Sequence, residues 1–278
     1  MNVEIRFPPR PDDVIAFDTD ELRREFLIPD LFRPGAVSLT YSHLDRIIVG
    51  GAVPTAATLK LEAIKETGTA NFLDRRELAV INVGGDGRVV VDGETHALGN
   101  KDALYVGMGA AEVSFASDDS NKPAKFYLLS APAHFRHPTR RVTMADAKKM
   151  QLGAKETANE RTICQFIHPD VMPSCQLVVG MTLLAPGSVW NTMPCHIHDR
   201  RSEVYLYVDL PADARVFHFM GEPSETRHLV VADEEAVLSP GWSIHSGCGT
   251  ANYVFIWAMA GDNVDYKDVD PVAMEELR

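Results

Sequence analysis

His196 and His198 stand one residue apart in the stretch Trp190-Asn191-Thr192-Met193-Pro194-Cys195-His196-Ile197-His198-Asp199-Arg200-Arg201-Ser202-Glu203. That spacing couples a fold to a chemistry. Alternate side chains of a β-strand share a face, so both imidazoles point one way and Ile197 points to the opposite layer. Glu203 follows His198 at an odd offset, which would turn it to the wrong face of an uninterrupted strand. A turn must intervene, and Asp199-Arg200-Arg201-Ser202 supplies a hairpin that brings Glu203 back beside the histidines on the next strand. Glu203-Val204-Tyr205-Leu206-Tyr207-Val208 is rich in β-branched and aromatic residues, as a strand buried on both faces should be. His245, after the turn signal Pro240-Gly241, completes the set from another strand.

Three imidazoles and a carboxylate without thiolate suit zinc, manganese, iron, nickel or cobalt. Unrelated surface or core histidines are the alternative, and strand placement decides between them. Cys164, Cys175, Cys195 and Cys248 have no C-x-x-C spacing, so neither a zinc ribbon nor a dithiol redox motif is indicated. Cys195 has opposite parity to His196 and should face away from the ion.

The rest of the chain reads as all-β. Short β-prone runs such as Arg46–Val49, Leu78–Val83, Arg88–Val91, Glu112–Phe115 and Lys125–Leu129 alternate with turns such as Gly84-Gly85-Asp86-Gly87. Even spacing of this kind argues a sandwich or barrel. Helical patterning is marginal: Thr19–Phe26, Ala145–Lys149 and Val272–Arg278. A length of 278 residues suggests about two domains. The polar segment from Pro138 to Asn159 is read as the linker, giving domains 1–150 and 151–278. Asp74-Arg75-Arg76-Glu77-Leu78 in the first half echoes Asp199-Arg200-Arg201-Ser202-Glu203-Val204 in the second. The first half has no H-x-H before Glu77, so its barrel is expected to lack a complete metal site.

Charge and hydropathy exclude some partners. A net charge of −12, from 27 basic and 39 acidic residues, comes with no dense Lys/Arg run, which argues against nucleic acid and anionic membrane. No run of eighteen apolar residues and no signal-type h-region occurs, so a cytoplasmic location is expected.

A small β-barrel with H-x-H, a following Glu and a later His resembles the cupin superfamily, and two such halves resemble a bicupin. A closer resemblance spans nearly the whole chain. Tyr41-Ser42-His43-Leu44-Asp45-Arg46-Ile47-Ile48-Val49-Gly50-Gly51, Arg75-Arg76-Glu77-Leu78, Asp102–Gly107, Asn191–His196, Glu225-Thr226-Arg227-His228 and Trp242–Gly247 together resemble the 5-keto-4-deoxyuronate isomerase family. That resemblance implies a bicupin holding one zinc ion per subunit through His196, His198, Glu203 and His245. It also implies a homohexamer and a ketol isomerisation of an anionic deoxy-keto-uronate in pectin catabolism. Such a reaction moves a proton between adjacent carbons, for which Glu203 and Tyr205 are the candidate carriers. Tyr207, His218 and His228 are spare groups. The substrate carboxylate calls for a cation, with Arg161, Arg200 and Arg201 nearest in sequence, and Trp190, Asn191 and Gln176 as further pocket candidates. Two other classes fit the metal site alone: a bicupin dioxygenase, marked by oxygen-dependent turnover, and a non-catalytic sugar-binding cupin.

Overall fold

The computed structural model describes residues 1–278. The chain is all-β with a few short helices, and it forms two compact units. The first comprises Met1–Arg6, Asp30–Ala147 and Phe166–Val178, and the second Phe7–Pro29, Lys148–Gln165 and Val179–Arg278. Where the sequence reading places a single division between residues 150 and 151, each unit is thus assembled from three segments.

Each unit pairs a seven-stranded sheet with a four-stranded one, and the two units repeat the same plan. In the first, the large sheet runs Asn2–Arg6, Val37–Ser42, Ile48–Ala52, Phe126–Pro132, Arg76–Asn82, Ala103–Val106, Arg140–Val142. In the second it runs Lys148–Leu152, Arg161–Ile167, Val178–Leu184, Val254–Gly261, Arg201–Val208, Ala236–Ser239, Leu27–Ile28. Arg76–Asn82 and Arg201–Val208 therefore hold the same place in their sheets, which gives the Arg-Arg-Glu echo in the sequence a structural counterpart. In the first of these sheets Asn2–Arg6 pairs with Val37–Ser42 in parallel and the other strands pair antiparallel, as Arg201–Val208 does with both its neighbours in the second.

Every residue of Arg201–Val208 is buried. One face carries Ser202, Val204, Leu206 and Val208, and the other carries Arg201, Glu203, Tyr205 and Tyr207, so a polar set is enclosed where a core would ordinarily be aliphatic. Helix Thr19–Phe26 forms where expected. Asp18 caps it, with Oδ1 accepting from Glu21 N at 2.9 Å while Asp18 N donates to Glu21 Oε2 at 2.9 Å, a reciprocal capping box.

The helix expected over Ala145–Lys149 does not form. Ala147 N donates to Thr143 O at 3.1 Å for a single turn, and the chain then extends into the edge strand Lys148–Leu152. Val272–Arg278 contains only the 3₁₀ turn Met274–Glu276. The stretch read as a linker also contains the edge strand Arg140–Val142. Edge strands have one neighbour and tolerate polar, charged side chains, so their composition imitates that of a linker. No helix is long and apolar enough to cross a membrane.

In the first unit the buried carboxylate of Glu77 accepts hydrogen bonds from Tyr105 Oη at 2.6 Å and from the main-chain N–H groups of Cys175, Gln176 and Leu177 at 2.8, 2.7 and 2.8 Å. The segment Phe166–Val178 is thereby fastened onto that unit's sheet. Glu77→Ala leaves four donors without an acceptor in a fully buried site, and a loss of roughly 3 kcal/mol or more is expected. Urea unfolding should register the loss, with Glu77→Gln intermediate.

Candidate metal centre

The second unit gathers four ligand atoms from three stretches of chain. His196 and His198 flank Ile197 at the short strand His196–Ile197, which pairs with Asp270–Pro271. Ile197 turns the other way and packs with Cys195, Ile244 and Val272. A turn follows, closed by Arg201 N donating to His198 O at 3.0 Å, and the strand Arg201–Val208 delivers Glu203. His245 comes from the far side of the turn Pro240–Ser243, where Ser243 N donates to Pro240 O at 2.9 Å. Gly241 lets these two turns touch: its carbonyl accepts from His198 N at 3.1 Å, and a Cβ would stand 2.9 Å from His198 O and 3.0 Å from Asp199 Cα.

The ligand atoms of His196, His198, Glu203 and His245 all lie within 4.8 Å of one another. His198 Nε2 is 3.0 Å from Glu203 Oε2, His245 Nε2 is 2.9 Å from the same oxygen, and His245 Nε2 is 3.0 Å from His196 Nε2. Protons alone do not reconcile these contacts. His198 Nδ1 sits 2.9 Å from Arg201 O and donates to it, which turns Nε2 toward the Glu203 carboxylate. A single proton on His245 Nε2 cannot serve both Glu203 and His196. Ligands at about 2.0–2.1 Å from one ion stand about 3 Å apart when adjacent, so these spacings and the all-N/O donor set fit a divalent cation.

Burial shapes the charge states. It pushes His196 down to about 3, assisted by the neighbouring His245 and His198. For His198, burial acts downward but is outweighed by the hydrogen bond to and charge of Glu203, so the net shift is upward. Burial pushes Glu203 upward, yet the charge of His245 and hydrogen bonds from His198 and His245 prevail and hold it well below the carboxylate range. Tyr205, enclosed and facing the Glu203 charge, is driven well above its ordinary value and stays protonated; its hydroxyl lies 3.0 Å from Thr192 Oγ1.

A cavity of about 430 Å³ opens onto His196, Glu203 and Tyr205, within the range of small-molecule sites. Phe255, Trp257 and Met259 line it because their strand pairs with Arg201–Val208 in register, Tyr205 opposite Trp257 and Glu203 opposite Met259. The Trp257 ring reaches in across Gly180, where a Cβ would stand 2.1 Å from it, and its Nε1 donates to Thr182 Oγ1 at 3.1 Å.

The remaining candidates are distributed unevenly. Arg161 is on the cavity wall. Arg200 is ion-paired with Asp268 and Asp270, and Arg201 is enclosed, donating to Asp268 O at 2.7 Å. Hairpin geometry explains both: Arg200 is in the turn, while Arg201 already has the inward parity of Glu203. Trp190 stacks on Phe219, and the buried Asn191 amide donates to Tyr253 Oη at 2.7 Å. Gln176 belongs to the first unit, where its Nε2 donates to Pro132 O at 3.0 Å. His218 is buried against Tyr207, its Nδ1 2.7 Å from the phenol oxygen, and His228 lies on the outer strand Glu225–Val231. Reading from the sequence missed Tyr266 and Lys267, both on the cavity wall. The available signal was Asp265-Tyr266-Lys267-Asp268, a charged, aromatic loop immediately after a long apolar strand.

Fold and site together define a two-barrel protein of cupin type with one complete three-histidine, one-glutamate cluster. Among solved structures the chain is similar to an IolB-like protein from Salmonella typhimurium LT2, at TM-score 0.68 and 14% identity over 81% of this chain and 87% of that one. It is also similar to oxalate decarboxylase from Bacillus subtilis, at TM-score 0.54 and 10% identity over 81% and 71%. These likenesses concern the fold. The model of the KduI/IolB family matches residues 27–276. A 4-deoxy-L-threo-5-hexosulose-uronate ketol-isomerase of Cereibacter sphaeroides is 63% identical, covering 100% of this chain and 99% of its own. A protein of the same name from Caldicellulosiruptor bescii is 53% identical over 99% and 100%. The chain belongs to the KduI/IolB family.

Two outcomes are expected. Zinc at 100 times its Kd should stabilise the native protein by about 2.7 kcal/mol, and His245→Ala should abolish that increment and the bound metal in elemental assay. Burial pushes the His218 imidazole down to about 3. Between the ordinary value of 6.5 and that value, the unfolded chain binds the extra proton, so stability falls as pH drops through this window. His218→Gln, which keeps a partner for Tyr207, should flatten the pH dependence of urea midpoints there.

Proposed function

We propose that this chain is a metal-dependent ketol isomerase that interconverts 5-dehydro-4-deoxy-D-glucuronate and 3-deoxy-D-glycero-2,5-hexodiulosonate. The observation that carries the reading is the full-length identity of 63% to a relative named for that substrate. The enclosed cluster beside a cavity of suitable size supports it. The ion proposed is zinc, one per subunit, held by His196, His198, Glu203 and His245. The setting proposed is a cytoplasmic homohexamer in pectin and uronate breakdown, a reading supported by the family resemblance of the distributed motifs.

The chemistry follows from what lines the cavity. Moving a carbonyl from C1 to C2 removes a proton from C2, returns one to C1, and shifts a proton between the two oxygens, with no net gain or loss of atoms or electrons. His196, His198, Glu203 and His245 would hold a divalent ion, which would supply Lewis-acid polarisation to the substrate there. Tyr205, held protonated, donates to the substrate oxygen that gains negative character, and Thr192 orients its hydroxyl. Glu203 is the one carboxylate on the cavity wall. It is the candidate to accept the C2 proton and return it at C1. Phe255 and Trp257 make that wall apolar beside the reacting carbons.

Purified protein incubated with 5-dehydro-4-deoxy-D-glucuronate in deuterated water should yield the 2,5-diketo isomer by NMR, with deuterium at C1. An absence of product from metal-loaded protein would exclude the assignment. Tyr205→Phe should lower kcat by roughly 10²–10⁴-fold while retaining the metal.

A further inference from the structure

Two cations stand on the wall of the cavity, Arg161 and Lys267, and neither is paired with a carboxylate of the chain. Arg161 spends one N–H on Asn159 O at 2.8 Å, which leaves most of its guanidinium fork unused. The phenols of Tyr266 and Tyr205 share the cavity wall with it. The Lys267 side chain is exposed and makes no ion pair, although its own backbone N–H is fixed by Asp265 Oδ1 at 3.0 Å. The one acid on the wall, Glu203, is already occupied by His198 and His245. An unneutralised pair of cations on a largely apolar and aromatic wall is a place for an anion that the chain does not itself supply.

Lys267 reaches the cavity because its loop is fastened from behind. Asp262 N donates to Arg200 O at 2.9 Å where the loop leaves the strand Val254–Gly261. At its other end Asp268, the neighbour of Lys267, is gripped on all its oxygens. Arg200 Nε donates to Oδ1 and Oδ2 at 2.9 and 3.0 Å, Asn263 Nδ2 donates to Oδ2 at 2.7 Å, and the buried Arg201 donates to the Asp268 carbonyl at 2.7 Å. Arg200 also holds Asp270, whose strand pairs with His196–Ile197. The Arg200-Arg201 pair therefore ties the loop to the same turn that carries the candidate metal ligands.

We infer that Arg161 and Lys267 form the subsite for the substrate's carboxylate, and that Arg200 is a positioning residue that holds Lys267 in place through Asp268. The inference rests on the reading of the substrate as a uronate and assigns the groups that select its acid end. Arg200 and Arg201, the cations nearest the ligands in sequence, are committed to loop architecture. The charge that meets the substrate comes from a residue far along the chain.

The test uses the full-length, metal-loaded enzyme with 5-dehydro-4-deoxy-D-glucuronate. Lys267→Met and Arg161→Gln should each raise KM about tenfold or more with kcat changed less than about threefold, the pattern of lost uniform binding. Lys267→Arg should restore most of the affinity. Arg200→Gln should raise KM comparably at unchanged metal content. Arg200→Gln combined with Lys267→Met should be no worse than the poorer single variant, because both act on one contact. Independent, multiplying effects in the double variant would overturn the positioning role. Turnover by the wild type with KM unaltered in Lys267→Met and Arg161→Gln would overturn the subsite alone. No turnover by the wild type would overturn the functional reading and the carboxylate subsite with it.

Discussion

Four electron-pair donors converge on one enclosed point, and much of the second unit is arranged to bear that convergence. Three ring nitrogens and a carboxylate at about 3 Å spacing repel one another unless a cation lies among them. Holding them there requires three independent constraints: the turn that reverses the chain between His198 and Arg201, the Pro240–Ser243 turn that seats His245, and the strand Arg201–Val208 at the centre of its sheet. The two turns are in contact through Gly241, so each determines where the other can lie. Arg201 contributes twice: its carbonyl fixes the His198 tautomer, and its guanidinium holds the loop that forms part of the cavity wall.

The first unit repeats this strand with a different solution to the same electrostatic problem. Glu77 lies on the strand that holds the same place in its sheet as the strand of Glu203, and it is just as enclosed. Its charge is met by a phenol and three consecutive main-chain N–H groups, partners that need no ion. A buried carboxylate must be compensated, by a metal with imidazoles or by a nest of amide donors. The preceding arginines follow the same logic. Arg76 is pushed down to about 10 by burial and donates to Ser130 and to the Arg46 carbonyl, as Arg201 donates to a loop carbonyl in its own unit.

The all-β class and the ligand cluster were legible because both depend on short-range rules. Strand parity put His196 and His198 on one side, and the odd offset to Glu203 demanded the turn that closes at Arg201. Substrate-facing residues were less legible because facing one cavity is a matter of strand pairing. Trp257 lies opposite Tyr205 only through the antiparallel register of two strands about fifty residues apart in sequence. Arg200 and Arg201 looked available because sequence carries no sign that Asp268 and Asp270 pair with Arg200 or that the Asp268 carbonyl takes Arg201. Ala145–Lys149 read as helix within a linker from Pro138 to Asn159 because an edge strand with one neighbour can be as polar as a loop.

A charge near a site in sequence and a charge free to act in it are separate properties. Arg200 is already paired with two carboxylates, so an incoming acid group would meet a charge that is largely neutralised and would gain little. Lys267 is uncommitted, and its position is stabilised by bonds made by its neighbours, leaving its ammonium as the part of the loop not used for structure. This division lets the loop be rigid and still present a group whose whole interaction energy is available to a ligand, as preorganised recognition requires. In the proposed reading it also places the acid end of a substrate under the control of Arg161 and Lys267, apart from the proposed proton carriers Glu203 and Tyr205, so that affinity and chemistry draw on different residues of one wall.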